Sequence, residues 1–145
     1  MNQTAGFRSY WLAPLILLFV GIWFASGGNH SPSTRSFHVN NVSVTDAKTL
    51  LDAGALVVDV REQDKFNLRH LPGALLVPLE VLRLGIPASL SSAKDRPMLV
   101  YCNEGLSHGP EGADLLTKGG FTHVVNLESG IEGWERAGFP IERAN

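Results

Sequence analysis

The sequence predicts an α/β domain with a mainly parallel sheet and helices on both faces. Three short apolar runs support this prediction: ALVVDV (Ala55 to Val60), MLVY (Met98 to Tyr101) and HVVNL (His123 to Leu127). Each run is continuous rather than alternating, which is typical of strands buried on both faces of a parallel sheet. Helix-like segments separate the runs, and strands that alternate with helices favour this fold class.

The remaining elements are predicted from local signals along the chain. Phe37 to Val44 contains β-branched and aromatic residues and predicts a short strand. Thr45 then offers an N-cap for a helix that Gly54 ends. Three further helices are predicted at Leu79 to Leu84, Pro110 to Lys118 and Gly130 to Ala137.

The N-terminal segment differs in kind from the rest of the chain. Tyr10 to Ala25 is apolar for 16 residues and comes after Arg8. This length lies between the roughly 7–15 residues of a signal-peptide core and the about 20 residues of a membrane-spanning helix. Residues 1–28 therefore predict either a cleaved signal peptide or a retained signal anchor, and Trp11 and Trp23 near the two ends favour the anchor.

The predicted organisation places the folded domain outside the cytoplasm. Residues 29–36 are predicted to be a flexible linker and residues 37–145 the folded domain. Because Arg8 is the only charge before the apolar run, the positive-inside rule favours export of the linker and the domain. We expect a membrane contact through residues 10–28, or a periplasmic or secreted domain if the N-terminus is cleaved.

Composition argues against several kinds of site. The chain has 12 basic and 14 acidic side chains, a formal charge of −2 and no block of like charge, which argues against nucleic-acid binding. Its single cysteine, Cys102, excludes an internal disulfide and a cysteine-based zinc site. The five histidines lack the i, i+4 spacing of a metal-binding pair, so we predict no metal.

Two predicted strand ends carry reactive or charged side chains: Asp59 with Arg61, and Cys102 with the loop after it. In a parallel sheet, ligands bind at the carboxyl ends of the strands. Gly105 allows the loop to turn its N–H groups toward the sulfur, and Pro110 fits the first position of the next helix. The helix N-terminus favours a thiolate, although a free cysteine is also common as a small buried hydrophobe, and the residues alone leave both interpretations open.

Five stretches of the chain, taken in order, match the pattern of one known family. They are VVDVRE (57–62), FNLRHLPGALLVPL (66–79), YCNEG (101–105), LLTKGGFTHVVNLESGIEGW (115–134) and GFP (138–140). Together they resemble the single-domain rhodanese sulfurtransferases, over roughly Phe37 to Pro140. The resemblance implies a five-stranded, mainly parallel sheet flanked by helices, with Cys102 at the base of a cradle-shaped loop.

The resemblance also implies sulfurtransferase activity. In this family the cysteine takes a sulfane sulfur from a donor such as thiosulfate, becomes a persulfide and passes the sulfur to a thiol or to cyanide. Cys102 is then the implied nucleophile, Asp59 and Arg61 are implied to order neighbouring loops, and no metal or organic cofactor is implied. The implied active loop consists of Asn103, Glu104, Gly105, Leu106, Ser107 and His108.

The loop departs from the family pattern at Ser107, where the family usually has an arginine. A fixed guanidinium favours an anionic donor and Glu104 disfavours it, so we predict weak thiosulfate turnover, with His108 as a partial substitute when protonated. A rhodanese-related phosphatase would need an arginine at the sixth position after Cys102, which is His108. The alternative from another class is a membrane-tethered, rhodanese-like binding or scaffold domain with little turnover.

Overall fold

The computed structural model describes residues 36–144, so the predicted anchor and nearly all of the predicted linker lie outside the described range. The strands in this range are β1 (Asn40–Val42), β2 (Leu56–Asp59), β3 (Leu75–Leu76), β4 (Met98–Tyr101) and β5 (Val124–Leu127). All neighbouring strands pair in parallel, in the order β1-β5-β4-β2-β3. The expected five-stranded parallel sheet is confirmed.

Helices connect these strands. They are α1 (Val44–Asp52), α2 (Gln63–Leu68), α3 (Leu79–Leu84), α4 (His108–Lys118) and α5 (Gly130–Arg136), with a 3-10 helix at Ala88–Ala93. The sequence did not predict α2, β3 or the 3-10 helix, which are all short. Between residues 36 and 144, no helix has the length and apolar character needed to span a membrane.

The sheet has a hydrophobic core on each face because successive strand residues point to opposite sides. Val58 packs on one face with Leu116 of α4, whereas Val57 packs on the other face with Trp134 of α5. All four side chains are buried. Burial on both faces explains why the central strands are continuous apolar runs, and it confirms the expectation of helices on both sides.

The first helix begins earlier than predicted. Ser43, not Thr45, is the N-cap, and its hydroxyl accepts a 3.2 Å hydrogen bond from the Asp46 N–H. The strand predicted over Phe37 to Val44 is consequently reduced to Asn40–Val42. Serine and threonine are both good N-caps, so the backbone path decides which of them is used.

Helix α4 also begins earlier than predicted. It starts at His108 with Ser107 as its N-cap, so Pro110 is the third helical residue and not the first. The N–H groups of the first turn have no acceptor inside the helix, so the missing N–H of Pro110 still costs no helical hydrogen bond. The loop that carries Cys102 therefore enters the helix two residues sooner.

Candidate active site at the Cys102 loop

The sheet brings the two predicted strand ends together. Strands β2 and β4 are adjacent and in register, with Asp59 opposite Tyr101. Arg61 and Cys102 come just after these two residues and therefore leave the sheet at the same carboxyl edge. This is the edge at which parallel sheets bind ligands.

Cys102 lies at the base of the loop and is almost fully buried, with 2% of its surface exposed. Its Sγ accepts a 3.2 Å hydrogen bond from the N–H of Gly105. Gly105 has φ +78°, and a Cβ at this position would lie 2.2 Å from the carbonyl oxygen of Glu128. Only glycine fits both this backbone angle and this close approach, so the amide that faces the sulfur depends on Gly105.

The first half of the loop is fixed to the N-terminus of α5. The Cys102 carbonyl accepts a 3.0 Å hydrogen bond from the N–H of Ile131, and the Asn103 carbonyl accepts one of 3.1 Å from the N–H of Glu132. Gly130 has φ +55°, and a Cβ there would lie 2.2 Å from the Asn103 oxygen. The loop base and the turn before α5 therefore pack backbone against backbone.

The second half of the loop faces solvent. Glu104, Leu106, Ser107 and His108 are exposed, and Leu106 is 78% exposed. The positions at which the sequence departs from the family pattern are thus at the mouth of the loop. Residues 102–108 contain no lysine or arginine, so the mouth has no permanent cation of its own.

A small cleft adjoins the exposed half of the loop. Its volume is about 40 Å³, and His108 lines it together with Arg61, Glu62 and Glu80 among others. A cavity of this size holds one or two water molecules or a small ion. Asp59 neutralises Arg61 and Arg83 pairs with Glu80, so Glu62 makes the cleft a poor place for a doubly charged anion.

A buried ion pair lies beside the loop. Arg61 donates through Nη2 to Asp59 Oδ2 at 2.6 Å and through Nε to Asp59 Oδ1 at 2.9 Å. Both side chains are at most 2% exposed. Arg61 also donates to the Asn103 Oδ1 at 3.2 Å and to the Arg69 carbonyl at 2.7 Å. The guanidinium is therefore a link between strand β2, the Cys102 loop and the chain after α2.

Tyr101 completes this buried cluster. Its hydroxyl donates to Asp59 Oδ2 at 2.6 Å, and the Arg61 guanidinium lies 5.4 Å from the centre of its ring. Burial, and then the negative charge of Asp59, raise the pKa of Tyr101 above its ordinary value. Burial works against the charged form of Arg61, but the hydrogen bond and charge of Asp59 prevail and raise the pKa of Arg61. The cluster holds a neutral phenol and a permanent ion pair.

Two residues that the sequence analysis missed lie on the other side of the loop: Asn126 contacts the loop, and Asn41 contacts Asn126. Asn126 in β5 is fully buried, and its Nδ2 donates to the Gly105 carbonyl at 3.0 Å and to Asn41 Oδ1 of β1 at 2.8 Å. The signal was the asparagine inside the apolar run HVVNL, because a polar residue on a doubly buried strand must find partners.

Comparisons with known proteins agree with this geometry. The rhodanese-like domain family matches residues 43–137. The uncharacterised protein YibN of Escherichia coli is 29% identical over 134 residues, covering 92% of this chain and 87% of YibN. The thiosulfate sulfurtransferase GlpE of Vibrio cholerae is 29% identical over 106 residues, covering 72% of this chain and 96% of GlpE.

A solved structure agrees as well. The crystal structure of the Alr3790 protein from Anabaena superposes with a TM-score of 0.61 at 30% identity, covering 71% of this chain and 92% of that one. The family match runs from α1 to α5 and includes strands β2 to β5 and the Cys102 loop. The chain belongs to the rhodanese-like domain family.

Proposed function

We propose that this protein is a sulfurtransferase that carries a sulfane sulfur on Cys102. The observation that best supports the proposal is the N–H of Gly105, which donates to the Cys102 Sγ at 3.2 Å. A donor aimed at the sulfur stabilises a thiolate for attack and the charged persulfide after it. The similarity to GlpE, a thiosulfate sulfurtransferase, supports the same assignment.

The proposed reaction has two displacements. The Cys102 thiolate attacks the outer sulfur of a donor such as thiosulfate; a new S–S bond forms, the donor S–S bond breaks and sulfite leaves with the electron pair. An acceptor thiolate or cyanide then attacks the outer sulfur of the Cys102 persulfide and leaves with it, which restores the thiolate. Neither step needs a metal, an added oxidant or an added reductant.

The charges around the loop favour a donor that has less negative charge around its reacting sulfur than thiosulfate has. Glu104 is exposed on the loop and Glu62 lines the neighbouring cleft, whereas Arg61 is already neutralised by Asp59 and Arg83 pairs with Glu80. A dianion at this mouth meets repulsion without a fixed partner. We therefore expect glutathione persulfide, which has one negative charge at its persulfide group and its carboxylates several bonds away, to load Cys102 faster than thiosulfate does.

Intact mass spectrometry tests the proposal directly. The reduced full-length chain is incubated with thiosulfate or with glutathione persulfide, and its mass is compared with that of Cys102→Ser. Cys102 is the single cysteine, so each gain of one sulfur atom is assigned without ambiguity. We expect the gain in the wild-type protein and none in the variant. No gain with either donor would refute the sulfurtransferase proposal.

A binding or scaffold domain is the second candidate. The feature that favours it is Leu106, which is 78% exposed in a cysteine loop that has no lysine or arginine. An apolar side chain at the mouth suits contact with another protein better than capture of a small anion. Repeated loading and release of sulfur in the presence of an acceptor thiol separates the two candidates, because a scaffold domain has little turnover.

We further propose that residues 10–28 tether the domain to a membrane and that it lies outside the cytoplasm. The similarity to YibN covers 92% of this chain and therefore extends into the segment before Ser36. Mass analysis of the N-terminus in membrane and soluble fractions tests the tether. An intact Met1 end in membranes supports it, whereas a new end near residues 26–29 in the soluble fraction supports cleavage.

A further inference from the structure

A pair of amide side chains lies beneath the Cys102 loop, on the side away from the ion pair of Arg61. Asn126 is fully buried, and its Nδ2 donates to the Gly105 carbonyl and to Asn41 Oδ1. Gly105 in turn donates its N–H to the Cys102 sulfur. We infer that Asn126 is a positioning residue for the Cys102 thiolate, acting through the backbone of Gly105.

The orientation of both amides is fixed by chemistry. The Gly105 carbonyl can only accept a hydrogen bond, so the Asn126 amide must turn its NH₂ group toward it. Asn41 must then present its oxygen to the second hydrogen of the same NH₂ group, at 2.8 Å. One backbone carbonyl therefore sets the direction of the whole pair, and the alternative amide orientations would place two donors or two acceptors together.

The hydrogen bond from Asn126 restrains Gly105, whose backbone is conformationally free. Gly105 uses its two backbone polar groups in two directions, the N–H toward Sγ and the carbonyl toward Asn126. Glycine has more backbone freedom than any other residue, so its own conformational preferences do not hold the N–H on the sulfur. Anchoring the carbonyl restricts the rotation that would turn the N–H away.

The other side of the Asn126 amide faces the start of α4. Its Oδ1 is buried and has no hydrogen-bond partner within residues 36–144. A Cβ on Gly109 would lie 2.3 Å from this oxygen and 3.4 Å from the Cys102 sulfur. The oxygen therefore packs against the bare Cα of Gly109, next to the sulfur. A buried acceptor left unpaired costs stability, and the hydrogen bonds on the NH₂ side offset that cost.

The test uses the pH profile of Cys102 alkylation by iodoacetamide in the full-length chain. The limiting rate at high pH reports access to the sulfur, whereas the midpoint reports how well the protein stabilises the thiolate. Asn126→Leu removes the NH₂ group without adding a charge. Asn41→Ala removes only the outer hydrogen bond and is the matched control. The titratable and charged residues of the loop and of the elements packed against it are unchanged in both variants; they are Asp59, Arg61, Glu104, His108, Glu111, Glu128 and Glu132.

We expect the midpoint to move to higher pH by about one unit in Asn126→Leu, because the donor to the sulfur is no longer held in place. We expect Asn41→Ala to keep the wild-type midpoint. A wild-type midpoint in a folded Asn126→Leu protein, as judged by circular dichroism, would overturn the inference. If the leucine variant does not fold, Asn126→Ala carries the same expectation.

The importance of this residue for sulfur transfer rests on the proposed function, but its effect on the thiolate does not. If the wild-type protein accepts no sulfur from either donor and the Asn126→Leu midpoint still moves, the proposed function fails and the positioning role stands. If sulfur loads normally onto Asn126→Leu and the midpoint is unchanged, the positioning role fails and the proposed function stands.

Discussion

Tyr101 donates a 2.6 Å hydrogen bond to Asp59, and both side chains are completely buried. The same hydroxyl accepts a 3.1 Å hydrogen bond from the N–H of Leu71. Arg61 donates to both oxygens of the carboxylate, and its Nη2 shares Oδ2 with the Tyr101 hydroxyl. One carboxylate thus connects strand β2, strand β4 and the chain that leads to β3. The residue after Tyr101 is Cys102, so this connection lies directly behind the Cys102 loop.

Replacing Tyr101 by phenylalanine should change how stability depends on pH. Burial and Asp59 raise the folded-state pKa of Tyr101, so the stability it contributes is fully present below the ordinary tyrosine value of about 10. That contribution is lost as pH rises toward the folded-state value, by up to ~1.4 kcal/mol per pH unit. Urea unfolding followed by circular dichroism should show a steeper loss above about pH 10 in wild type than in Tyr101→Phe. Parallel curves would contradict the role of Tyr101.

Arg61→Ala should strongly destabilise the domain. It leaves the Asp59 carboxylate buried without its cation, which typically costs about 3–5 kcal/mol. The matched control is Arg136→Ala, because the Arg136 side chain is 69% exposed and its ion pair with Glu132 is long, at 3.9 Å. We expect little change in that control. Equal losses of unfolding free energy in the two variants would show that the buried ion pair of Arg61 contributes no more stability than the exposed pair of Arg136.

Ser107→Arg should increase the rate at which thiosulfate loads Cys102. A new guanidinium at the loop mouth provides a cation that residues 102–108 lack, and one opposite charge near the donor is worth roughly fivefold in rate. The control is Ser92→Arg, which adds the same charge on the 3-10 helix. This helix precedes the N-terminal end of β4, whereas Cys102 follows the C-terminal end of β4. Loading is monitored by intact mass over time. An equal gain in both variants would point to net charge rather than to the loop.

Gly105→Ala should abolish the gain of sulfur. Gly105 has φ +78°, which an alanine adopts only with strain. The added methyl group would also lie 2.3 Å from the Leu127 carbonyl oxygen and 2.2 Å from that of Glu128. The loop must therefore move, and the N–H of residue 105 must leave the sulfur. Gly73→Ala is the control, since Gly73 has φ +66° but nothing within 4 Å of the new methyl group. The control carries only the backbone strain of about 1–2 kcal/mol. Normal loading of Gly105→Ala would show that its amide is dispensable.

The central strands could be predicted from the sequence because burial on both faces requires a continuous run of apolar residues. Helices cover strands β2, β4 and β5 on both faces of the sheet, so these strands consist mostly of apolar residues. The edge strand β3 has only two residues, Leu75–Leu76, and so short a segment has no recognisable period. The edge strand β1 was predicted, but its end was misplaced because Ser43 begins the next helix.

The position of Cys102 could also be predicted, because a cysteine directly after a buried strand can only lie at the sheet edge. Its partners are harder to foresee. Asn126 is 21 residues from Gly105 and 85 from Asn41, so the contacts depend on which strands become neighbours. The order β1-β5-β4 brings these residues together, and no local pattern encodes that order.

The hydrogen bonds from Ile131 and Glu132 to the Cys102 and Asn103 carbonyls have a consequence for how this loop can vary between relatives. An extra residue between Cys102 and Gly105 would displace the two carbonyls that cap α5 or the amide that meets the sulfur. An extra residue between Leu106 and Ser107, which are both exposed, would disturb none of these contacts. If Cys102 carries sulfur as proposed, substrate preference can therefore diverge by insertion or substitution in the outer half of the loop while the inner half keeps its contacts to the sulfur.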